Sequence, residues 1–321
     1  MSTAAARRHA VIWAVSLLVA MAIALSFGNF RALLVEAARS VSLLAVFATL
    51  PGQIASSLLC AAGLWVFRPG VGYAASTASR LLRDAGDNLL VFLPGIGEII
   101  GARAIVLAGG KTRPAIAASA LDKVAEFFAQ IPYMAFAGWV FWHGWQNESL
   151  QPGDLIWLPV LAIGAIAAAI VVVKKGADWG PIRRFRAEWD KTAEEVRIRK
   201  RAMPLSTALH FVAWLMGGVQ IWMAARALHF DISLFDAIAI ESVVYAGRTV
   251  LLMVPAGIGT QEAVLVAAGL IFGLTAPQSL ALGLVLRLRD LVFGVPLIAW
   301  PLFELRSHRR KMAREASLPK A

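Results

Sequence analysis

The stretch Val254-Pro255-Ala256-Gly257-Ile258-Gly259-Thr260-Gln261-Glu262 decides the fold of this chain. It lies within apolar sequence, where a continuous helix is expected, yet it combines a proline, two glycines and a carboxylate. Proline removes a backbone donor and glycine weakens a helix. In lipid, such a break persists only where protein or a water-lined cavity covers it. The stretch therefore predicts two helical arms joined by a break inside a membrane protein.

A shorter copy of this break occurs earlier, at Leu93-Pro94-Gly95-Ile96-Gly97-Glu98. Each copy leads through an apolar arm that ends in glycine to a helix that starts with proline. Glu98 and Glu126 are 28 residues apart, and Glu262 and Asp290 are also 28 residues apart. The equal spacing predicts an internal repeat, although coincidence among glycine-rich apolar segments is the alternative.

The composition indicates a membrane protein. Hydrophobic residues make up 59% of the 321 residues and charged residues only 16%, whereas soluble domains are about half apolar and a quarter charged. Several runs of about twenty apolar residues predict transmembrane helices. The net charge of +11 is interpreted as Lys and Arg held in cytoplasmic loops, so no nucleic acid partner is expected.

Neither a metal nor a cofactor is expected. The single cysteine, Cys60, cannot form an internal disulfide and leaves the redox compartment open. The five histidines show no ligand spacing; they are His9, His143, His210, His229 and His308.

Loop charges predict the topology. Arg7-Arg8 precede an uncleaved first helix, so the N-terminus is expected in the cytoplasm. Residues 174–204 hold ten Lys/Arg against five acids, which indicates a basic cytoplasmic loop. Residues 305–321 form a second basic stretch, predicted as a cytoplasmic tail. Residues 143–154 and 229–236 lack Lys and Arg and are predicted to lie outside. The connection that holds Arg68, Arg80 and Arg83 is predicted to lie inside, and apolar helices are predicted at 114–142, 155–173, 205–228 and 277–303.

These assignments give the segment 84–110 two cytoplasmic ends, which predicts a re-entrant hairpin. The arms 237–254 and 260–274 either both cross the membrane or form a second hairpin that enters from outside. The second option makes the halves, about 71–142 and 232–304, an inverted repeat typical of secondary transporters. We expect an all-α polytopic bundle over 1–305, with about six full crossings and two re-entrant helical hairpins.

Ionisable residues recur within the predicted helices, at Asp122, Lys123, Glu126, Glu241, Arg248, Arg287, Arg289 and Asp290. Asp122 and Glu126 are four residues apart, and Glu241 and Arg248 seven, so each pair shares a helix face. Charges of this kind must face protein or water. Either they form ion pairs between helices and do nothing else, or they line a polar path for a lipid headgroup. We favour the second reading.

Arg248 is the main candidate for binding a headgroup phosphate, because a guanidinium binds phosphate in a bidentate way. A salt bridge with Glu241 or Glu262 is the alternative. Helix N-termini after the glycine breaks could donate to the same anion, whereas Arg83 and Asp84 are predicted to be interfacial. The predicted substrate-binding residues are Asn88, Pro94, Gly95, Gly97, Glu98, Arg103, Asp122, Glu126, Glu241, Arg248, Pro255, Gly257, Gly259, Gln261, Glu262, Arg287, Arg289 and Asp290; none is predicted to be catalytic.

Two motifs carry a family resemblance. Asp87-Asn88-Leu89-Leu90 through Glu98 to Gly101-Ala102-Arg103 is one, and Glu241 through Arg248 and 255–262 to Arg287-Leu288-Arg289-Asp290 is the other. Together they resemble the lysylphosphatidylglycerol synthase transmembrane-region, or flippase-like, family over roughly residues 10–305. Arg83-Asp84-Ala85 with Gly101-Ala102-Arg103 is most similar to its hopanoid-biosynthesis-associated subgroup. Ala256 stands where the family usually has glycine.

The resemblance implies a multi-pass protein of the bacterial inner membrane that moves a lipid or lipid-linked molecule, such as a phospholipid or hopanoid, between leaflets. About seventeen residues follow Glu304, too few for the aminoacyl-transferring domain of some members, so lysyl-lipid synthesis and enzyme activity are not expected. No Walker-type motif indicates ATP as the driver. An intramembrane lipid-modifying enzyme and a non-catalytic scaffold for lipid synthesis are the alternatives.

Overall fold

Helices form the regular structure of this chain. The computed structural model describes residues 28–90, 95–146, 195–250 and 260–316, and within these ranges the all-α prediction is confirmed. The helices are α1 (Gly28–Ser40), α2 (Leu43–Trp65), α3 (Tyr73–Leu89), α4 (Ile96–Leu107), α5 (Thr112–Gln146), α6 (Met203–Ala227, preceded by a 3₁₀ turn at Lys200–Ala202), α7 (Leu234–Val250), α8 (Thr260–Ile271), α9 (Ala276–Phe293) and α10 (Val295–Ala316).

Several predicted features lie outside the described residues. They are the first helix, the predicted crossing at 155–173, most of the basic loop 174–204 and the proline of each break, Pro94 and Pro255. Gly257 and Gly259 belong to the same group.

The described residues divide into two units. The first contains 28–49, 134–146, 218–250 and 260–288. Its core is aliphatic, with Ile240, Val243, Leu265, Leu282 and Val285 fully buried. In water, burying one such side chain stabilises a fold by about 1.5–3 kcal/mol. Lipid is itself apolar, so in a membrane these side chains stabilise the unit through packing between helices.

The second unit contains 50–90, 95–133, 195–217 and 289–316. Its apolar core includes Leu64, Phe67, Ile105 and Leu121. The same unit also buries charged side chains, which the site below describes.

Local sequence explains where the helices begin and end. Ser233 and Asp236 cap the start of α7 reciprocally, and Thr275 and Gln278 do the same at α9, each side chain accepting a bond from the other residue's backbone N–H. Two equivalent turns follow α4 and α8. Gly109 (φ 101°) and Gly273 (φ 77°) adopt the left-handed conformation there.

Both predicted hairpins form pairs of packed helices. Helix α3 packs against α4, and α7 packs against α8. A side-chain carbon on Gly97 would lie 2.4 Å from the carbonyl oxygen of Arg83, and one on Gly247 would lie 2.7 Å from a methyl of Val264. Glycine thus permits the closest approach in each hairpin. The first arm begins at Tyr73 instead of Asp84, because α3 extends through the segment predicted as a loop.

Apolar stripes cover the outer faces of the long helices. On α5 the exposed positions recur at helical spacing: Ile116, Val124, Phe127, Phe128, Ile131, Trp139 and Trp142. The opposite face of the same helix buries Asp122, Glu126 and Gln130. A polar inner face and an apolar outer face are the arrangement that lipid requires.

Two helices among the described residues are long and apolar enough to cross a membrane. They are Leu43–Trp65, with 23 residues, and the helical stretch Glu195–Ala227, with 33. The number of crossings and the inverted repeat stay predictions.

The last predicted helix, 277–303, is not continuous. Helix α9 ends at Phe293 and α10 begins at Val295, with a turn at Gly294. Glycine weakens the helix there, and Pro296 cannot donate its backbone bond. A side-chain carbon on Gly294 would lie 2.3 Å from a methyl of Leu89, so only glycine fits. Helix α10 packs against α3 and α4 and continues to Ala316, through much of the predicted tail.

Candidate functional site

Helix α3 turns a polar stripe toward the interior of the second unit. Its buried positions include Ser76, Ser79, Arg80 and Arg83, which recur every three or four residues. This periodicity places them on one helix face. Ser79 donates to the carbonyl of Gly101 in α4 over 2.8 Å. The arginines, which have no backbone partner there, reach carboxylates on α4 and α5.

Arg83 is the centre of the resulting ion-pair network. Its Nη1 donates to Asp122 Oδ2 over 2.7 Å, its Nη2 to Glu126, and its Nε lies 2.9 Å from Glu98 Oε1. Only 4% of the residue is exposed. A guanidinium whose three nitrogens each face a carboxylate is held in one orientation.

Arg80, one turn earlier, binds the same carboxylates from the other side. Its Nε lies 2.9 Å from Asp84 Oδ1, its Nη1 3.7 Å from Asp122 Oδ2, and its Nη2 3.5 Å from Glu126 Oε1. Asp122 and Glu126 therefore each face two arginines. The prediction that they share a face is confirmed.

Asp122 has a third partner, His210 of α6. The distance from His210 Nε2 to Asp122 Oδ1 is 2.7 Å, and both side chains are fully buried. A side-chain carbon on Gly63 of α2 would lie 2.9 Å from the same nitrogen. The imidazole therefore packs against Gly63, where a side chain on α2 would collide with it.

The network reaches its exposed edge at Glu98 and Lys123. Lys123 Nζ lies 3.2 Å from Glu98 Oε1 and 3.4 Å from Glu126 Oε2. The Lys123 side chain is 52% exposed and that of Glu98 26%, whereas that of Arg83 is 5% exposed. The network thus has a buried interior and is most exposed at Lys123.

The second hairpin carries a related pair in the first unit. Arg287 Nε donates to Glu262 Oε1 over 3.2 Å, and the two side chains are 28% and 21% exposed. Gln261, beside Glu262, is buried. Glu241 lies half-buried on α7 and has partners of its own.

The two pairs occupy equivalent sequence positions. Glu98 and Lys123 are 25 residues apart, and so are Glu262 and Arg287. In both, a glutamate in the first turn of the second hairpin arm pairs with a cation on the following helix, over the same 3.2 Å. The equal spacing and distance are those that an internal repeat of the two halves would produce; the repeat itself stays a prediction.

Other predicted residues lie apart from these pairs. Arg289 donates to the neighbouring Asp290 over 2.7 Å, and Arg103 donates to Glu304 of α10 over 3.0 Å. Asn88 is half-buried near the end of α3.

Gly95 and Gly97 of the first break shape the start of α4. Gly95 caps α4 in the left-handed conformation, with φ 78°, and the backbone N–H of Gly97 donates to Asp87 Oδ1 over 3.2 Å. The backbone of Arg248 belongs to α7, but its side chain, like Pro94, Pro255, Gly257 and Gly259, lies outside the description, so its role stays a prediction.

Sequence reasoning missed three members of the network. Arg83 was predicted to be interfacial, Arg80 was assigned to a loop, and His210 was read as one of several scattered histidines. The spacing of Arg80, Arg83 and the serines before them marks a polar helix face and was the available signal. His210 carried no comparable signal, because Asp122 is 88 residues away in sequence.

Comparison with protein families matches residues 10–298 to the family described as the lysylphosphatidylglycerol synthase TM region. The match extends over most of the chain and includes both motifs on which the resemblance rests. No curated protein and no solved structure matches the chain.

Proposed function

Because the chain belongs to the lysylphosphatidylglycerol synthase TM region family, we propose that it moves a lipid or lipid-linked molecule between the leaflets of a membrane. Membership of this family indicates a membrane protein with a lipid-related function. Translocation is the finer step that we add, and a phospholipid or hopanoid-type lipid is the cargo that we propose. The hopanoid-associated subgroup belongs to this proposal.

The observation that carries the proposal is the pair of accessible carboxylate–cation contacts, Glu98 with Lys123 and Glu262 with Arg287. Each contact joins the second arm of a hairpin to the following helix. A partly exposed ion pair contributes only about 0–1 kcal/mol to stability, so a purely structural role gives these contacts little to do. These pairs are partly exposed, so a phosphate can approach the cation while the carboxylate moves aside.

The chemistry of such an exchange is electrostatic. A lipid phosphate accepts hydrogen bonds from a guanidinium or an ammonium as a carboxylate does. The headgroup can therefore replace Glu262 at Arg287, or Glu98 at Lys123, without leaving a buried cation unpaired. The apolar stripes on helices such as α5 would leave the acyl chains in the bilayer while the headgroup follows the polar face.

We further propose a multi-pass arrangement in the bacterial inner membrane with both termini in the cytoplasm. The support is the asymmetry of charge along the chain, since the segments 174–204 and 305–321 are rich in Lys and Arg, whereas 143–154 and 229–236 contain none.

Lipid movement in proteoliposomes tests the function. Vesicles contain a fluorescent anionic phospholipid, and a membrane-impermeant reductant reports how fast label leaves the inner leaflet. Charge-assisted hydrogen bonds contribute about 1.5–3 kcal/mol, so we expect Arg287→Gln and Lys123→Gln to slow movement by about tenfold or more. Arg226→Gln and Lys111→Gln, at exposed positions, are the matched controls and should move lipid at the unaltered rate.

The same vesicles distinguish the other functions. Equal rates for Arg287→Gln, Lys123→Gln and Arg248→Ala and the unaltered protein would refute the proposed path. Mass spectrometry of the recovered lipid detects a covalent change, which would indicate an intramembrane enzyme. A scaffold would be indicated if the charge substitutions leave the protein's function in lipid synthesis unchanged while substitutions in 174–204 impair it.

A further inference from the structure

His210 is a buried titratable group that the proposed headgroup path does not use. It is 1% exposed and lies in α6, whose sequence is mostly apolar around it. Its Nε2 lies 2.7 Å from Oδ1 of the fully buried Asp122, and the thiol of Cys60 is a second neighbour. Histidine is the side chain whose charge ordinarily changes near neutral pH.

A continuous chain of contacts joins His210 to the accessible edge of the network. Asp122 contacts Arg83 at 2.7 Å, Arg83 contacts Glu98 at 2.9 Å, and Glu98 contacts Lys123 at 3.2 Å. Side-chain exposure rises from 0% at His210 to 52% at Lys123. A change of charge at the imidazole is therefore transmitted to the groups that an anion would meet.

The formal charges of the network are unbalanced by one. Its three cations are Arg80, Arg83 and Lys123, and its four carboxylates are Asp84, Glu98, Asp122 and Glu126. With a neutral His210 the sum is −1, and with a proton on His210 it is zero. Net charge in a medium of low dielectric constant is unfavourable, and a net negative network repels an anion at Lys123.

We propose that His210, hydrogen-bonded to Asp122, is the proton-binding site of this protein, and that one proton accompanies each anionic headgroup that binds at the Glu98–Lys123 edge. Protonation removes the repulsion of the anion, and by reciprocity the bound anion favours protonation. The proton is taken from water on the side where the lipid enters and returns to water where the lipid leaves, so no covalent bond of the lipid changes.

The inference rests on the proposed lipid movement and adds its energy source, a proton gradient. Because one negative charge and one positive charge move together, the transport step is electroneutral. An imposed membrane potential is therefore expected to leave it unchanged.

The other charged and titratable groups around His210 come from three helices. They are Cys60 of α2, Arg80 and Arg83 of α3, and Asp122 and Glu126 of α5. The two arginines keep their charge. The thiol of Cys60 is the remaining neighbour that could accept or release a proton, so it needs a variant of its own.

Lipid accumulation under a pH gradient tests the coupling. With a gradient of about one pH unit, coupling of one proton to one lipid predicts up to about a tenfold excess of labelled anionic phospholipid in the leaflet that faces the alkaline side. His210→Gln retains a hydrogen-bond donor for Asp122 but cannot take up a proton, so it should move lipid more slowly than the unaltered protein and without accumulating it. His308→Gln, at an exposed position, and Cys60→Ala should accumulate lipid as the unaltered protein does.

Three outcomes of this experiment overturn the inference. The first is accumulation by His210→Gln equal to that of the unaltered protein. The second is loss of accumulation in Cys60→Ala but not in His210→Gln. The third is lipid movement by the unaltered protein with no accumulation, which leaves the proposed function intact.

Absence of lipid movement in the vesicles would refute the proposed function. Even then, calorimetry tests whether lipid binding is coupled to proton uptake. A short-chain anionic phospholipid is titrated into the detergent-solubilised protein in buffers of different ionisation enthalpy, which gives the number of protons taken up per lipid. In titrations repeated over a series of pH values, we expect the unaltered protein to take up a proton, up to one per lipid, where His210 is neutral before lipid binds, and His210→Gln to take up none at any pH. Equal numbers in the two proteins, or no binding of lipid, overturn the inference.

Discussion

Arg83 determines how the buried charges of the second unit are arranged. Each nitrogen of its guanidinium faces a different carboxylate, on α4 or α5. A lysine, with one compact ammonium, could not face all three in this planar arrangement. At the scale of single residues, Arg83 therefore links the hairpin to α5.

Removal of Arg83 should be strongly destabilising. In Arg83→Ala, Asp122 and Glu126 lose their closest cation while they remain buried, and breaking a buried ion pair on one side typically costs about 3–5 kcal/mol. We expect a decrease of this size in the free energy of unfolding, measured in detergent micelles. Arg113→Ala, at an exposed position on the same unit, should unfold like the unaltered protein. If Arg83→Ala and the unaltered protein have the same free energy of unfolding, the arginine is dispensable for stability.

The two hairpins are the elements that bring the charged residues together. In each, a glycine allows the arms to touch: Gly97 lies against the backbone of α3, and Gly247 lies against Val264 of α8. The following turns are also equivalent. Gly110 donates a backbone hydrogen bond to Ile105 of α4 and Leu274 donates one to Gly269 of α8, each to the residue five positions earlier and over 3.0 Å. Local backbone chemistry therefore repeats between the halves, as the equal spacing of the carboxylates predicts.

Substitution of Gly97 tests this role at the scale of the element. Its added carbon in Gly97→Ala would lie 2.4 Å from a backbone oxygen of α3, so the arms must separate at a cost of about 1–3 kcal/mol. Gly138→Ala is the matched control, because it lies within helix α5 with open space around it and should gain about 0.5–1 kcal/mol of stability. Thermal unfolding in micelles compares the two. The hairpin contact is unimportant if both variants shift in the same direction.

At the scale of the molecule, helix α5 in the second unit shows how an apolar outer stripe is combined with buried charge. Exposed Phe127 and Ile131 and buried Asp122 and Glu126 are neighbours on a single helix. In water this distribution would expose apolar surface and bury charge, both unfavourable. In lipid the outer face is satisfied by acyl chains, and the buried charges satisfy one another.

Cysteine labelling tests the predicted topology of the whole molecule. In a Cys60→Ala background, we introduce a single cysteine by Asp231→Cys, Lys111→Cys or Arg310→Cys, all at exposed positions. An impermeant maleimide should label the first in intact spheroplasts and the other two only after lysis, because the loop charges place them on opposite sides. Labelling of Lys111→Cys in intact spheroplasts would contradict the re-entrant hairpin and favour a full crossing.

Much of the fold could be predicted from sequence because it depends on local signals. Proline and glycine mark the breaks, apolar runs mark the helices, and the ends of α5 and α6 lie within a few residues of their predicted positions. The prediction of one continuous last helix was wrong, because Gly294 and Pro296 interrupt it after α9. Contact with Leu89 requires a glycine at this turn. That contact joins residues far apart in sequence, which a local pattern does not contain.

The sequence by itself determined the membrane class, the family, the two helical hairpins and the need for buried charges to be neutralised, because composition, periodicity and loop charge are properties of neighbouring residues. Only the tertiary structure decided the partners: Arg83 with Asp122, Glu126 and Glu98, and His210 with Asp122. Ion pairs form between side chains that packing brings within about 4 Å, whatever their separation in sequence. The physical reason is that a buried charged side chain requires a partner of opposite charge, whereas the packing of the helices determines which residue is that partner.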